Sequence, residues 1–150
     1  MNAPWKVDVA LMLSSYRRLL GRGLVDESLA LAEAARWLYE EAPYCLLAHD
    51  TQASPCFIYA NMSAQRCFGY AWGEFVGMPS RLSAEAPDRA ERDVLLAAVA
   101  RDGFATGYRG LRIAKDGRRF WIEDVTVWNL VDEAGRVHGQ AATYLRTRPA

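Results

Sequence analysis

Arg112 stands between Leu111 and Ile113, inside a run of residues that favours strand, and so carries a charge where an apolar side chain would be ordinary. A guanidinium taken out of water must be paired, because an unsatisfied buried charge costs several kcal/mol. Two kinds of partner are open to it. Asp124 or Glu123, on the following strand-like run, would close an internal ion pair, whereas an anionic small molecule such as a carboxylate would make Arg112 a binding group. The planar fork of arginine suits both. The internal pair with Asp124 is the expected outcome, because buried arginine–carboxylate pairs are the commoner arrangement.

The other chemistry-bearing residues make no constellation. His49 and His138 are far apart in sequence, with no nucleophile or metal-ligand pattern beside either. The chain has no His-Glu-x-x-His, no Cys-x-x-Cys and no nucleophile elbow. Gly21-Arg22-Gly23 lacks the Gly-Lys-Ser/Thr ending and the preceding strand of a phosphate loop. Cys45, Cys56 and Cys67 are odd in number and lie in apolar surroundings, which reads as reduced, buried thiols of a cytoplasmic protein. Trp121 and Trp128 read as core packing first and as pocket walls second.

Composition narrows the classes further. The chain has 150 residues, the size of one domain with one full core. Its 18 basic and 18 acidic residues balance, so charge gives no case for nucleic acid or an anionic membrane as partner. No apolar run approaches the ~20 residues that span a bilayer, and Met1 to Lys6 does not resemble the start of a signal peptide.

The elements that would position these residues can be read from pattern. A helix is expected from about Val7 to Leu20, with Val7, Leu11, Tyr16, Leu19 and Leu20 near one face. A second is expected from Asp26, as N-cap, to Pro43. Tyr44 to Ala48 reads as a strand. Phe57 to Tyr70 reads as a short strand, an Asn61 cap, and a short amphipathic helix closed by Gly69. Pro79 to Pro87 reads as irregular, then Arg89 to Arg101 as a helix with Leu95, Leu96, Val99 and Ala100 inward. Tyr108 to Ala114, Arg119 to Val131 and Val137 to Leu145 read as a three-strand meander with Asp-Gly and Glu-Ala-Gly turns.

That order of elements resembles a PAS domain, a sensor and interaction module. More narrowly, Ser15 to Arg22, Pro79 to Glu85, Gly117-Arg118-Arg119-Phe120, Val127-Trp128-Asn129-Leu130 and Gly139 to Thr143 resemble the MEKHLA family. That family is PAS-like, and is found as small bacterial stand-alone proteins and at the C-terminus of plant class III homeodomain-leucine zipper factors. The resemblance implies an α+β fold, with a PAS-like five-stranded antiparallel sheet, short central helices on one face and two N-terminal flanking helices on the other. Residues 1–43 are expected as the helical extension and 44–150 as the PAS-like domain, in one compact unit.

The cofactor-binding members of the wider superfamily offer two comparisons. A haem-binding PAS domain places an axial histidine on its long helix, and Arg89 to Arg101 has none. In flavin-binding light-oxygen-voltage (LOV) domains the reactive loop reads Gly, any residue, Asn, Cys, Arg, Phe, Leu, and Gly77 to Leu82 follows that register with Ser80 at the thiol position. Their two flavin-binding asparagines fall on Arg112 and Ile122, and only the glutamine of the last strand is kept, as Gln140. Flavin and haem are both disfavoured, and the cofactor is left unknown. Arg112 would point toward a central pocket, and Ser80, Arg81, Trp128, Asn129 and Gln140 are the candidates to line or support it. The expectation is a cytoplasmic, non-catalytic sensory or regulatory module that binds a small molecule or a protein partner. Little sequence follows Leu145, so output is expected through surface contacts, most simply in a homodimer. A small enzyme using the pocket and a purely structural dimerisation domain are the alternatives.

Overall fold

The computed structural model describes residues 8–84 and 89–150, the side chains of Arg89 and Arg92 excepted. Strands β1 (Cys45–His49), β2 (Phe57–Ala60), β3 (Phe104–Ile113), β4 (Arg119–Val131) and β5 (Val137–Tyr144) form an antiparallel sheet in the order β2-β1-β5-β4-β3. A sixth strand, β6 (Arg146–Pro149), was expected as a tail. The chain bends at exposed Leu145 and resumes pairing on the same edge of β4, with Trp121 opposite Arg148 and Glu123 opposite Arg146. Its four exposed residues carry no apolar alternation, so nothing in the pattern marks them as a strand.

Two helices precede the sheet, α1 (Val9–Leu20) and α2 (Leu31–Glu40). Asp8 caps α1 by accepting from the backbone N–H of Ala10 and Leu11, and Gly21 ends it at φ 73°. The buried stripe is Val9, Met12, Ser15 and Tyr16, rotated from the expected one, while Val7 lies outside the described residues. Ser15 causes the rotation. Its hydroxyl donates to Val131 O (3.0 Å) and accepts from Val131 N–H (2.9 Å), so a polar residue finishes the hydrogen bonding of β4 from beneath the helix. Tyr16 packs edge-on against Trp128, with ring centroids 4.8 Å apart. Helix α2 begins five residues after Asp26, which instead accepts from the N–H and hydroxyl of Ser28 in a local turn. Such side-chain-to-backbone bonds compete with helix initiation.

On the other face lie α3 (Met62–Phe68), α4 (Trp72–Phe75), a 3₁₀ turn (Ser80–Ser83) and α5 (Arg89–Asp102). Asn61 joins the two halves. Its Oδ1 accepts from Leu46 N–H and Ala64 N–H, and its Nδ2 donates to Leu38 O and Tyr44 O, each at 3.0 Å. The residue is fully buried and links α2, β1 and α3. Of the apolar residues expected inward on α5, Val99 is buried and Leu95 half-buried, but Ala100 and Leu96 are exposed. Phe57, Phe68, Phe75, Phe120, Val125 and Val127 form the core on this face, and Leu38, Leu46, Trp128, Leu130 and Tyr16 the core under α1 and α2.

Candidate functional site

Between the sheet, the 3₁₀ turn and α5 lies a partly open cavity of about 950 Å³. Leu47, Phe57, Phe68, Val125 and Val127 give it apolar walls, with polar groups at a few points. Ser80 reaches its rim because the Gly77 to Ser80 segment is pinned to β2 and the residues before it by backbone bonds: Gly77 N–H to Phe57 O, Phe57 N–H to Met78 O, and Ser80 N–H to Pro55 O. Ser80 is half-buried there, and Ser83, nearly fully buried, donates to Ser80 O (2.8 Å).

Four of the six expected residues line this cavity: Ser80, Arg81, Arg112 and Gln140. Arg81 is exposed at the mouth, its Nε 3.4 Å from the Ser54 hydroxyl. Asn129 stands opposite Gln140 in the β4–β5 ladder and accepts from its Nε2 (3.3 Å), so it supports the wall without lining it. Trp128 does not belong to the site. Adjacent residues of a strand face opposite sides, and Trp128 is fully buried against Tyr16 under α1.

The ion pair expected of Arg112 is not formed. Its Nη1 donates to Leu111 O (2.9 Å), and among the described residues no carboxylate lies within ion-pair distance of it. The cause is a bulge in β4. Tyr108 pairs with Val125 and Gly110 with Ile122, so Glu123 and Asp124 together stand against one residue of β3. Asp124 takes a φ of 53° and is exposed. Glu123 is engaged by Arg148 (3.2 Å) and Arg109 (3.8 Å). Both acids are thereby unavailable to Arg112.

Two cavity residues were missed by sequence reasoning, Tyr108 and His49, and so was Gly110, which stands between Tyr108 and Arg112 on the same face of β3. A Cβ placed on Gly110 would come within 2.8 Å of Arg112 Nη1 and 3.0 Å of Tyr108 Oη. The missing side chain of Gly110 therefore makes room for a guanidinium and a phenol to converge over one point of β3. An isolated glycine inside a strand is the signal that could have found this close approach. His49 lines the cavity further along, its Nδ1 2.9 Å from Asp50 O.

An antiparallel sheet in this strand order, with short helices and a cavity on one face, defines a PAS-like domain. The chain belongs to the MEKHLA domain family, whose model matches residues 7–148. Among solved structures it is similar to an RNA-binding light-oxygen-voltage receptor, with 28% identity and a TM-score of 0.65. That match covers 81% of this chain and 34% of the other, so this chain spans about a third of that protein's length. It is also similar to the PAS domain of a protein from Colwellia psychrerythraea, with 18% identity, a TM-score of 0.62, and coverage of 80% and 96%. A third similar structure is the LOV domain of a blue-light-activated histidine kinase from Erythrobacter litoralis, with 21% identity, a TM-score of 0.57, and coverage of 69% and 94%. No curated protein matches.

The cavity does not fit flavin photochemistry. Ser80 offers a hydroxyl where adduct formation uses a thiolate, and Ile122 presents hydrocarbon to the space that a polar ring edge would need bonded. All four positions of the LOV register, Ser80, Arg112, Ile122 and Gln140, nevertheless converge on the one cavity. The location is shared and the chemistry differs.

Proposed function

We propose that this domain is a non-catalytic sensory or regulatory module of the cytoplasm, whose cavity takes a small anion with an apolar body. The observation that carries this reading is Arg112, a half-buried guanidinium facing an apolar-walled cavity with no carboxylate partner among the described residues. A carboxylate there would accept a bidentate pair from Arg112 and a further bond from Tyr108, while Leu47, Phe57 and Val127 cover the ligand's body. Ser80 and Gln140 supply neutral polar contacts, and Arg81 adds charge at the mouth. Among the described residues no serine of the lining is bonded to His49, whose Nδ1 faces Asp50 O, which supports binding over turnover. Native mass spectrometry of the purified protein tests the reading: a retained small acid supports it, and a bound flavin or haem, seen also as visible absorbance, overturns it.

Output passes through the outer face of the sheet, and we infer a homodimer there. Leu111, Ile113 and Trp121 are half-buried on this face, beyond the part that α1 covers. Arg109 stacks on Trp121, its guanidinium carbon 3.9 Å from the ring centre. An apolar strip flanked by charge suits a self-complementary contact. Light scattering at high micromolar concentration should give a dimer that Trp121→Glu converts to monomer; a wild-type monomer would remove the inference.

A further inference from the structure

A second cleft, of about 530 Å³, opens between the end of α2, α3 and the β3–β4 turn, away from the central cavity. Two of the three cysteines line it. Cys67 sits in the last turn of α3 and is half-buried, whereas Cys45 begins β1 and is buried. Both face this one cleft, and each thiol perturbs the other's proton. Tyr144, which pairs with Cys45 across the β1–β5 ladder, places its Oη 3.8 Å from Cys67 Sγ.

We propose that Cys67 is a peroxide-reactive thiol and Cys45 its resolving partner, so that the cleft is a redox modification site closing a Cys45–Cys67 disulfide. Charge around the cleft favours a thiolate at Cys67. Arg118 lines the cleft and is held in place by donating to Cys67 O (2.9 Å). Glu41, the carboxylate of the lining, is drawn off by Arg36 at 3.0 Å. The C-terminal end of α3 opposes a negative charge there. The Cys45 thiol, followed by Tyr144 and the field of Arg118, prevails and lowers Cys67 to about 7. The same interaction, with burial, pushes Cys45 up, so one thiol is poised to attack and the other keeps its hydrogen.

The chemistry balances with a hydroperoxide as oxidant. The Cys67 thiolate attacks the distal peroxide oxygen, the O–O bond breaks, and Cys67 becomes a sulfenic acid as the alkoxide or hydroxide leaves with a proton. Cys45 sulfur then displaces the sulfenic oxygen, its own proton leaving with that oxygen as water. Two thiols have lost two electrons and the peroxide has gained them. Transient disulfides of this kind are compatible with a reducing compartment.

The test uses the full chain carrying Cys56→Ser, because Cys56 lies outside the cleft and its removal makes any internal disulfide unambiguous. Hydrogen peroxide at low molar excess should lower the intact mass by two hydrogens and link the Cys45 and Cys67 peptides. Alkylation of Cys67 by iodoacetamide should follow a midpoint near 7, against ~8.5 for a free cysteine. Arg118→Met should raise that midpoint and slow the peroxide reaction several-fold. In Cys45→Ser, Cys67 should stop at a dimedone-trappable sulfenic acid. Failure to form the internal link, over-oxidation of Cys67 without it, or a free-cysteine midpoint for Cys67 would each overturn the proposal. The first two readouts need no variant of the pair, so a folding defect in Cys45→Ser leaves them decisive.

Discussion

Replacing Asn61 should be among the most damaging single changes in this domain, although the side chain is small and polar. Asn61→Ala leaves the buried N–H groups of Leu46 and Ala64 without their acceptor and the carbonyls of Leu38 and Tyr44 without their donor. Each stranded buried donor costs about 1–3 kcal/mol, and the lost helix cap is counted within the Ala64 share. With the carbonyls adding less, the sum is about 3–5 kcal/mol. For a domain of this length each kcal/mol lowers Tm by about 2–4 °C, so a fall of about 10 °C is expected by calorimetry. Asn61→Asp sharpens the test. It keeps both acceptor contacts but sets a carboxylate against two carbonyl oxygens, which raises its pKa. The variant should therefore be weak at neutral pH and recover part of its stability on acidification, when the protonated acid can donate again. A loss for Asn61→Ala below about 1 kcal/mol would refute the reasoning, since it would mean that the four groups find other partners.

Gly139→Ala should destabilise the β1–β5 pair, because the added Cβ would lie 2.4 Å from His49 O, a backbone atom that cannot swing aside. A cost of about 1–3 kcal/mol is expected in urea unfolding, and an unchanged midpoint would contradict the contact. The Asp132 carboxyl is held below its ordinary value by His138, at 2.8 Å, and then by the N–H groups of Arg136 and Ala134. A depressed carboxyl stabilises above its unfolded value, 3.8, and that contribution is lost as pH falls through the folded one. Carbon-detected NMR should show Asp132 titrating below 3.8, and Asp132→Asn should make the acid loss of stability shallower. Salt should weaken both effects, because the pair is reached by solvent.

The sheet and most of its helices were legible because their signals are local. Asn61, Gly69 and the Asp-Gly turn each fix a boundary with one residue, and alternation sets β3 and β4. What was not legible depends on partners distant in sequence. Ser15 has no place in an apolar stripe until Val131 is seen above it, and β6 reads as a tail until β4 is beside it. The site shows the same division. The register that brought Ser80, Arg112 and Gln140 to one cavity survived, whereas the Arg112–Asp124 pair did not, because alternation cannot register a two-residue bulge. Trp128 kept its first reading, as core packing, and only the second, as a pocket wall, fails, because it and the cavity-facing Val127 are adjacent on β4 and share no face.

Calorimetric titration of octanoate against octanamide, which differ in charge and little in shape, addresses the Arg112 site most directly. The wild type should bind the acid at least about tenfold more tightly than the amide, a difference of about 1.4 kcal/mol. Arg112→Met should abolish that preference while leaving Tm nearly unchanged, since no carboxylate is stranded by the change. Gly110→Ala should weaken it as well, by filling the space where Arg112 and Tyr108 converge. Equal binding of the two compounds by the wild type, or a preference that survives Arg112→Met, would contradict an anion site built on Arg112.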